Sequence, residues 1–166
     1  MVSGSVASTF HGEIRQTQDV DLVIESTAHP EALHRAFSAG FYTPPVDSIR
    51  TELTARGMFN VIDLESQWKA DLIVCKDRPF SREEFRRRQP ATLAGVDVHL
   101  VTVEDSILSK LEWALATGSD RQRRDIAGML HSGHDRIDYG YLDRWAPDLG
   151  VQGLLLEIRS AVEAED

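Results

Sequence analysis

A chain of 166 residues, 42% hydrophobic and 27% charged, has room for one domain with a real core and little more. Its formal net charge of −9 argues against general DNA binding, whose affinity comes largely from neutralised phosphates; a small anionic substrate remains open if metal ions and local arginines offset the carboxylates. No run approaches the ~20 apolar residues of a membrane span, and no basic segment followed by an apolar stretch opens the chain as a secretion signal. The single cysteine, Cys75 in the apolar run DLIVC, can form no internal disulfide. It reads as structural, and a reducing cytoplasm is the expected compartment.

In chain order, MVSGSVA opens with strand and glycine-turn character, and no helix precedes this strand to cover it. Either the fold closes differently or the natural chain starts upstream of Met1. Ser5 to Phe10 reads as a short helix, and the alternation of DVDLVIE predicts a strand over 19–25. Pro30 suits the first turn of a helix running to Ala39, where Gly40 stops it. A second helix is expected over Val46 to Ala55, ended by Gly57. FNVIDL (59–64) and WKADLIVC (68–75) form a hairpin pair. Ser81 and Glu84 have capping-box spacing for the helix REEFRRR, and residues 91–94 and 96–102 flank Gly95 as another hairpin.

Beyond Thr102 the pattern is helical only. Thr102 with Asp105, Ser119 with Gln122, and Asp138 read as helix caps. Ile107, Leu108, Leu111, Ala114 and Leu115 form one helical stripe, and Leu154, Leu155, Ile158 and Val162 another. Trp68, Trp113 and Trp145 are expected in the core. The predicted architecture is an α/β (α+β) core over residues 1–102, a mixed sheet flanked by helices, with a C-terminal helical bundle over 103–166.

Within the core, Asp19 and Asp21 share one strand face, because side chains alternate along a strand. Their Cα atoms lie about 7 Å apart, so their carboxylates can converge on an ion. Two acids on one strand do not complete a two-metal site. A third is expected from a neighbouring strand, and Asp71, opening DLIVC, is the candidate; an unpaired charge there would be costly to bury, and the alternative is a surface strand residue paired with Lys69 or Arg15. Gly4 allows close backbone approach, and Ser5 adds a hydroxyl at a helix start, both suited to a phosphate. Arg15, in the loop before the acidic strand, either reaches a phosphate or neutralises the acids. Arg86, Arg87 and Arg88 read as a solvated helix face or a small polyanion patch.

Gly4-Ser5, then thirteen residues, then Asp19-Val20-Asp21-Leu22, with a later strand aspartate, resembles the nucleotidyltransferase superfamily of the DNA polymerase β type. Residues 1–102 cover most of that core. Ser3 departs from the pattern, which commonly has a hydrophobic residue before the glycine. Lys110, Ala114 and Leu115 followed by Arg124-Asp125 resemble, more loosely, small bacterial nucleotidyltransferase-like proteins of toxin–antitoxin and abortive-infection systems. The resemblance implies that Asp19, Asp21 and Asp71 hold Mg²⁺ (or Mn²⁺), with Asp71 helping to deprotonate the acceptor. It implies that Gly4 and Ser5 hold the phosphates of a nucleoside triphosphate such as ATP, and that Lys110 and Arg124 touch phosphates or the base. The expected reaction moves a nucleoside monophosphate from a triphosphate to a hydroxyl of a protein, RNA or small molecule.

Two rival readings stand beside this. The chain keeps the fold as a catalytically inactive protein partner, for example one component of a toxin–antitoxin pair. Alternatively it is a sugar-nucleotide transferase using Asp-x-Asp, which needs a longer stretch than the 18 residues before Asp19.

Overall fold

A computed structural model describes residues 1–12 and 17–165. The protein is mixed α/β, with seven strands in one sheet and eight helices among the described residues. It divides into two compact units: Met1–Val6 with Gln16–Val101, and Ala7–Arg15 with Thr102–Asp166.

The first unit holds the sheet. Its strands are β1 (Val2–Ser3), β2 (Asp19–Ile24), β3 (Phe41–Tyr42), β4 (Met58–Asp63), β5 (Lys69–Val74), β6 (Gln89–Leu93) and β7 (Val96–Leu100). Their spatial order is β3-β4-β5-β2-β1-β7-β6. β2 runs parallel to β5, and β1 parallel to β7; the other neighbours are antiparallel. The helix α1 (Gly4–Phe10) follows β1 directly. Short β1 is an inner strand that joins β2 to the β6–β7 hairpin, with Val101 N–H donating to Val2 O at 3.0 Å.

Helices α2 (Pro30–Ala36) and α3 (Val46–Ala55) supply one core of this unit. Ile49, Leu53, Phe59, Val61, Leu72 and Val74 are buried together, with Ile24, Leu33, Phe37 and Ala70 packed against them. Each fully buried aliphatic or aromatic side chain here is worth about 1.5–3 kcal/mol. The strand alternation follows directly. Ile24, Ala70, Leu72, Val74, Phe59 and Val61 take the core side, so Asp19, Asp21, Lys69, Asp71 and Asn60 take the other.

Several elements differ from expectation. α2 stops at Ala36 rather than Ala39, and the chain then turns into β3, which the pattern does not announce. α3 has its expected bounds, but the left-handed residue ending it is Arg56 (φ 52°), one position before Gly57. The helix α4 (Pro79–Arg87) starts two residues before Ser81; Pro79 takes its first turn, and Ser81 Oγ instead accepts from Arg78 Nε at 2.9 Å. β6 reaches back to Gln89 and includes Pro90, which an edge strand tolerates because its N–H side needs no partner.

The second unit is helical: α5 (Val103–Thr117), α6 (Asp120–Gly133), α7 (Tyr139–Asp148) and α8 (Gln152–Glu165). Three expected caps are present. Thr102, Ser119 and Asp138 side chains accept from the backbone N–H of Asp105, Gln122 and Tyr141 respectively. Ile107, Leu108, Leu111, Ile126, Met129, Leu142 and Leu155 are fully buried. Leu115 is 59% exposed, off the stripe that its spacing predicts, and Pro147 lies within the last turn of α7. Trp68 and Trp113 are exposed, not core aromatics.

A buried polar set ties these helices together. The Tyr141 hydroxyl donates to Asp105 Oδ1 at 2.6 Å, and Thr102 Oγ1 donates to Asp105 Oδ2 at 2.7 Å. Lys110 Nζ lies 2.8 Å from Asp125 Oδ2 and 3.0 Å from Gln122 Oε1. Both charges of this α5–α6 pair are nearly out of solvent.

Candidate active site

The parallel pairing of β2 with β5 sets Asp21 opposite Asp71 and Asp19 opposite Lys69. On the far side of β5, β4 sets Asn60 opposite Asp71. Three polar residues therefore form a row across adjacent strands, Asp21, Asp71 and Asn60, on the face turned from the aliphatic core. Neighbouring strands lie about 4.8 Å apart, so Asp21 and Asp71 are close enough for carboxylates to share a cation. Asp19, two residues earlier on β2, has the same facing.

Gly4 closes this group from the β1 side. Ser3 pairs with Asp21, and Gly4 follows with φ 61°. A Cβ on Gly4 would lie 1.7 Å from Asp21 Oδ2. The carboxylate thus packs against the glycine Cα, in space that no other residue leaves empty. The glycine-serine turn and the acidic strand, thirteen residues apart in sequence, are one packed unit. Ser5 follows as the second residue of α1.

Lys69 supplies the local countercharge. Its Nζ is 3.0 Å from Asp71 Oδ2 and 3.7 Å from Asp19 Oδ1. The hydrogen bond to Asp71 holds the ammonium above its ordinary pKa; burial opposes this, and the charges of Asp71, Asp19 and Asp21 add to it. The other Asp71 oxygen, Oδ1, is buried and has no hydrogen-bond partner among the described residues. A buried carboxylate oxygen left unpaired costs roughly 1–3 kcal/mol or more. Among the described residues, no three His, Cys, Asp or Glu side chains close around a point that would hold a metal ion. The donor set itself suits a hard divalent cation: carboxylate oxygens from two adjacent strands, one of them unsatisfied. In this arrangement the Lys69 ammonium provides the positive charge in their midst.

Two further sequence-predicted residues, Lys110 and Arg124, belong to the second unit. Lys110 is held within the helical unit by Asp125 and Gln122, the pairing with an acid that is the alternative to a phosphate contact. Arg124 is exposed on α6 beside buried Asp125. Arg15 lies outside the described residues. The pairing of Asp71 with Lys69, the sequence's alternative to a metal role, is present. Asn60 was not singled out from sequence; its signal was a polar residue at an alternate position of an apolar strand, on the same face as Asp71.

No protein-family model matches the chain, and no curated protein matches it in sequence.

Proposed function

We propose that this chain is a metal-dependent nucleotidyltransferase that moves a nucleoside monophosphate from a triphosphate to an acceptor hydroxyl. The observation that carries the reading is the pairing of Asp21 with Asp71 in register, with Asp71 Oδ1 buried and without a hydrogen-bond partner among the described residues. The close packing of Gly4 on Asp21 supports it, since it joins the phosphate-binding turn to the acidic strand.

Asp19, Asp21 and Asp71 would hold Mg²⁺. Bound there, the ion would stabilise the negative charge that shifts to the leaving oxygens. The backbone at Gly4 and Ser5 would position the β- and γ-phosphates. Asp71 would take the acceptor's hydroxyl proton as that oxygen bonds to the α-phosphorus and the bond to pyrophosphate breaks. These assignments use the first unit alone.

The test is incubation with each α-labelled triphosphate, Mg²⁺ and cell lysate, comparing wild type with Asp21→Asn. Label should pass to an acceptor with wild type and fall at least a hundredfold with the variant. Transfer that survives the substitution refutes the assignment.

A non-catalytic partner role is the second reading. The pairing of Lys69 with Asp71 and Asp19 favours it, because the carboxylates already carry a countercharge. Lys69→Met separates the two. If the carboxylates are a metal site, removing the competing ammonium should tighten Mn²⁺ binding by about tenfold, read by the loss of free-ion EPR signal. If the lysine serves only to neutralise a structural cluster, Mn²⁺ binds neither form and the variant melts at a lower temperature.

A further inference from the structure

At the opposite end of β2 and β5 from the carboxylates lies a concavity of about 370 Å³. Four residues of strand, about 13 Å, separate Asp21 and Asp71 from Glu25 and Cys75 at its edge. Its lining is basic: Arg56, Arg82, Arg86 and Arg88, with Glu25 the one carboxylate among the lining residues. A chain of net charge −9 with 18 basic residues in all therefore gathers four of them around one hollow. Ser26 and Thr27, at the end of β2, also line it.

The guanidinium groups are held in two ways. Arg56 Nη1 donates to Cys75 O at 2.6 Å, and Arg88 Nη1 donates to Phe85 O at 2.5 Å. Arg88 also lies over the Phe85 ring, 4.2 Å from its centroid. Backbone carbonyls thus orient both forks without neutralising them, although Asp77 stands 3.9 Å from Arg56. Arg56 reaches its carbonyl from a left-handed backbone position, a conformation costly for a residue with a Cβ. Arg82 and Arg86 project from one face of α4 and pair with Asp77 and Glu83. Those two arginines are 66% and 72% exposed. Arg86 meets both Glu83 oxygens in a fork, and Arg82 gives two N–H to Asp77; a phosphate accepts the same two parallel hydrogen bonds and can take the place of either carboxylate.

We propose that this cleft is a binding site for a small phosphate-bearing ligand, distinct from the carboxylate site and independent of divalent metal. The four guanidinium groups take the phosphate oxygens, and the Ser26 and Thr27 hydroxyls are available as further donors. The volume suits a ligand no larger than a mononucleotide.

Cys75, the chain's one cysteine, lines the cleft and is a built-in reporter. Its alkylation by iodoacetamide is followed by mass spectrometry in EDTA, with inorganic phosphate, pyrophosphate, ribose 5-phosphate, AMP or adenosine present. The phosphate-bearing probes should slow alkylation saturably, more at low salt than at high salt, and adenosine should not. Their rank order separates a site for phosphate alone from one for a sugar phosphate or a nucleotide. Arg82→Gln with Arg86→Gln, exposed changes that leave the core intact, should weaken protection about tenfold. Asp21→Asn should leave it unchanged. The proposal is overturned if no phosphate-bearing probe protects Cys75, if adenosine protects equally, or if the arginine variant is protected as wild type is.

Discussion

Lys110→Met is expected to cost the helical unit about 3–5 kcal/mol, the amount typical for breaking a buried ion pair from one side. Lys110 and Asp125 side chains are 8% and 5% exposed, so water does not reach in to solvate the carboxylate that remains. Gln122 Oε1 loses the same donor. Natural domains have only about 5–15 kcal/mol in hand, so a loss of this size brings α5 and α6 close to unfolding. Urea denaturation followed by circular dichroism measures it. The double variant Lys110→Met with Asp125→Leu should recover most of the loss, because the cost lies in stranding a charge rather than in losing an attraction. A single variant as stable as wild type would show that the pair contributes nothing.

Gly4→Ala should disable the candidate active site while leaving the protein folded. Two penalties fall on one methyl group. The left-handed backbone at φ 61° costs a residue with a Cβ about 1–2 kcal/mol. The methyl would also fall 1.7 Å from Asp21 Oδ2, so the carboxylate must leave the position it holds beside Asp71. Mn²⁺ binding and nucleotidyl transfer should drop to the level of Asp21→Asn. Gly95→Ala is the control, since Gly95 also has positive φ (80°) but nothing within 4 Å of a Cβ. It should lose similar stability, read as melting temperature, and keep both functions. Equal metal binding in the two variants would dissociate Gly4 from the site.

The helix caps at Thr102, Ser119 and Asp138 were legible because each is a bond between residues three apart. The bounds of α3 and the presence of two hairpins were legible for a related reason: periodicity and turn residues act within one segment. Asp19 and Asp21 declared a common face through strand alternation alone. Even the idea that a third acid must come from another strand followed from local geometry. These signals also misled where packing overruled them. Leu115 sits on a helical stripe by spacing and Trp113 is expected in the core as a large aromatic, yet both are exposed to solvent.

What the linear order by itself determined was therefore the elements other than β3, several of their ends, and which side chains share a face. Only the tertiary structure decided that two-residue β1 lies between β2 and β7, that Asp71 stands opposite Asp21, and that Lys69 reaches two carboxylates at once. It alone buried Lys110 against Asp125 and brought Arg56 to the cleft that α4 lines. The physical reason is range. Caps, turns and alternation arise from contacts a few residues apart, whereas register between strands fifty residues apart depends on the shape of the core that joins them.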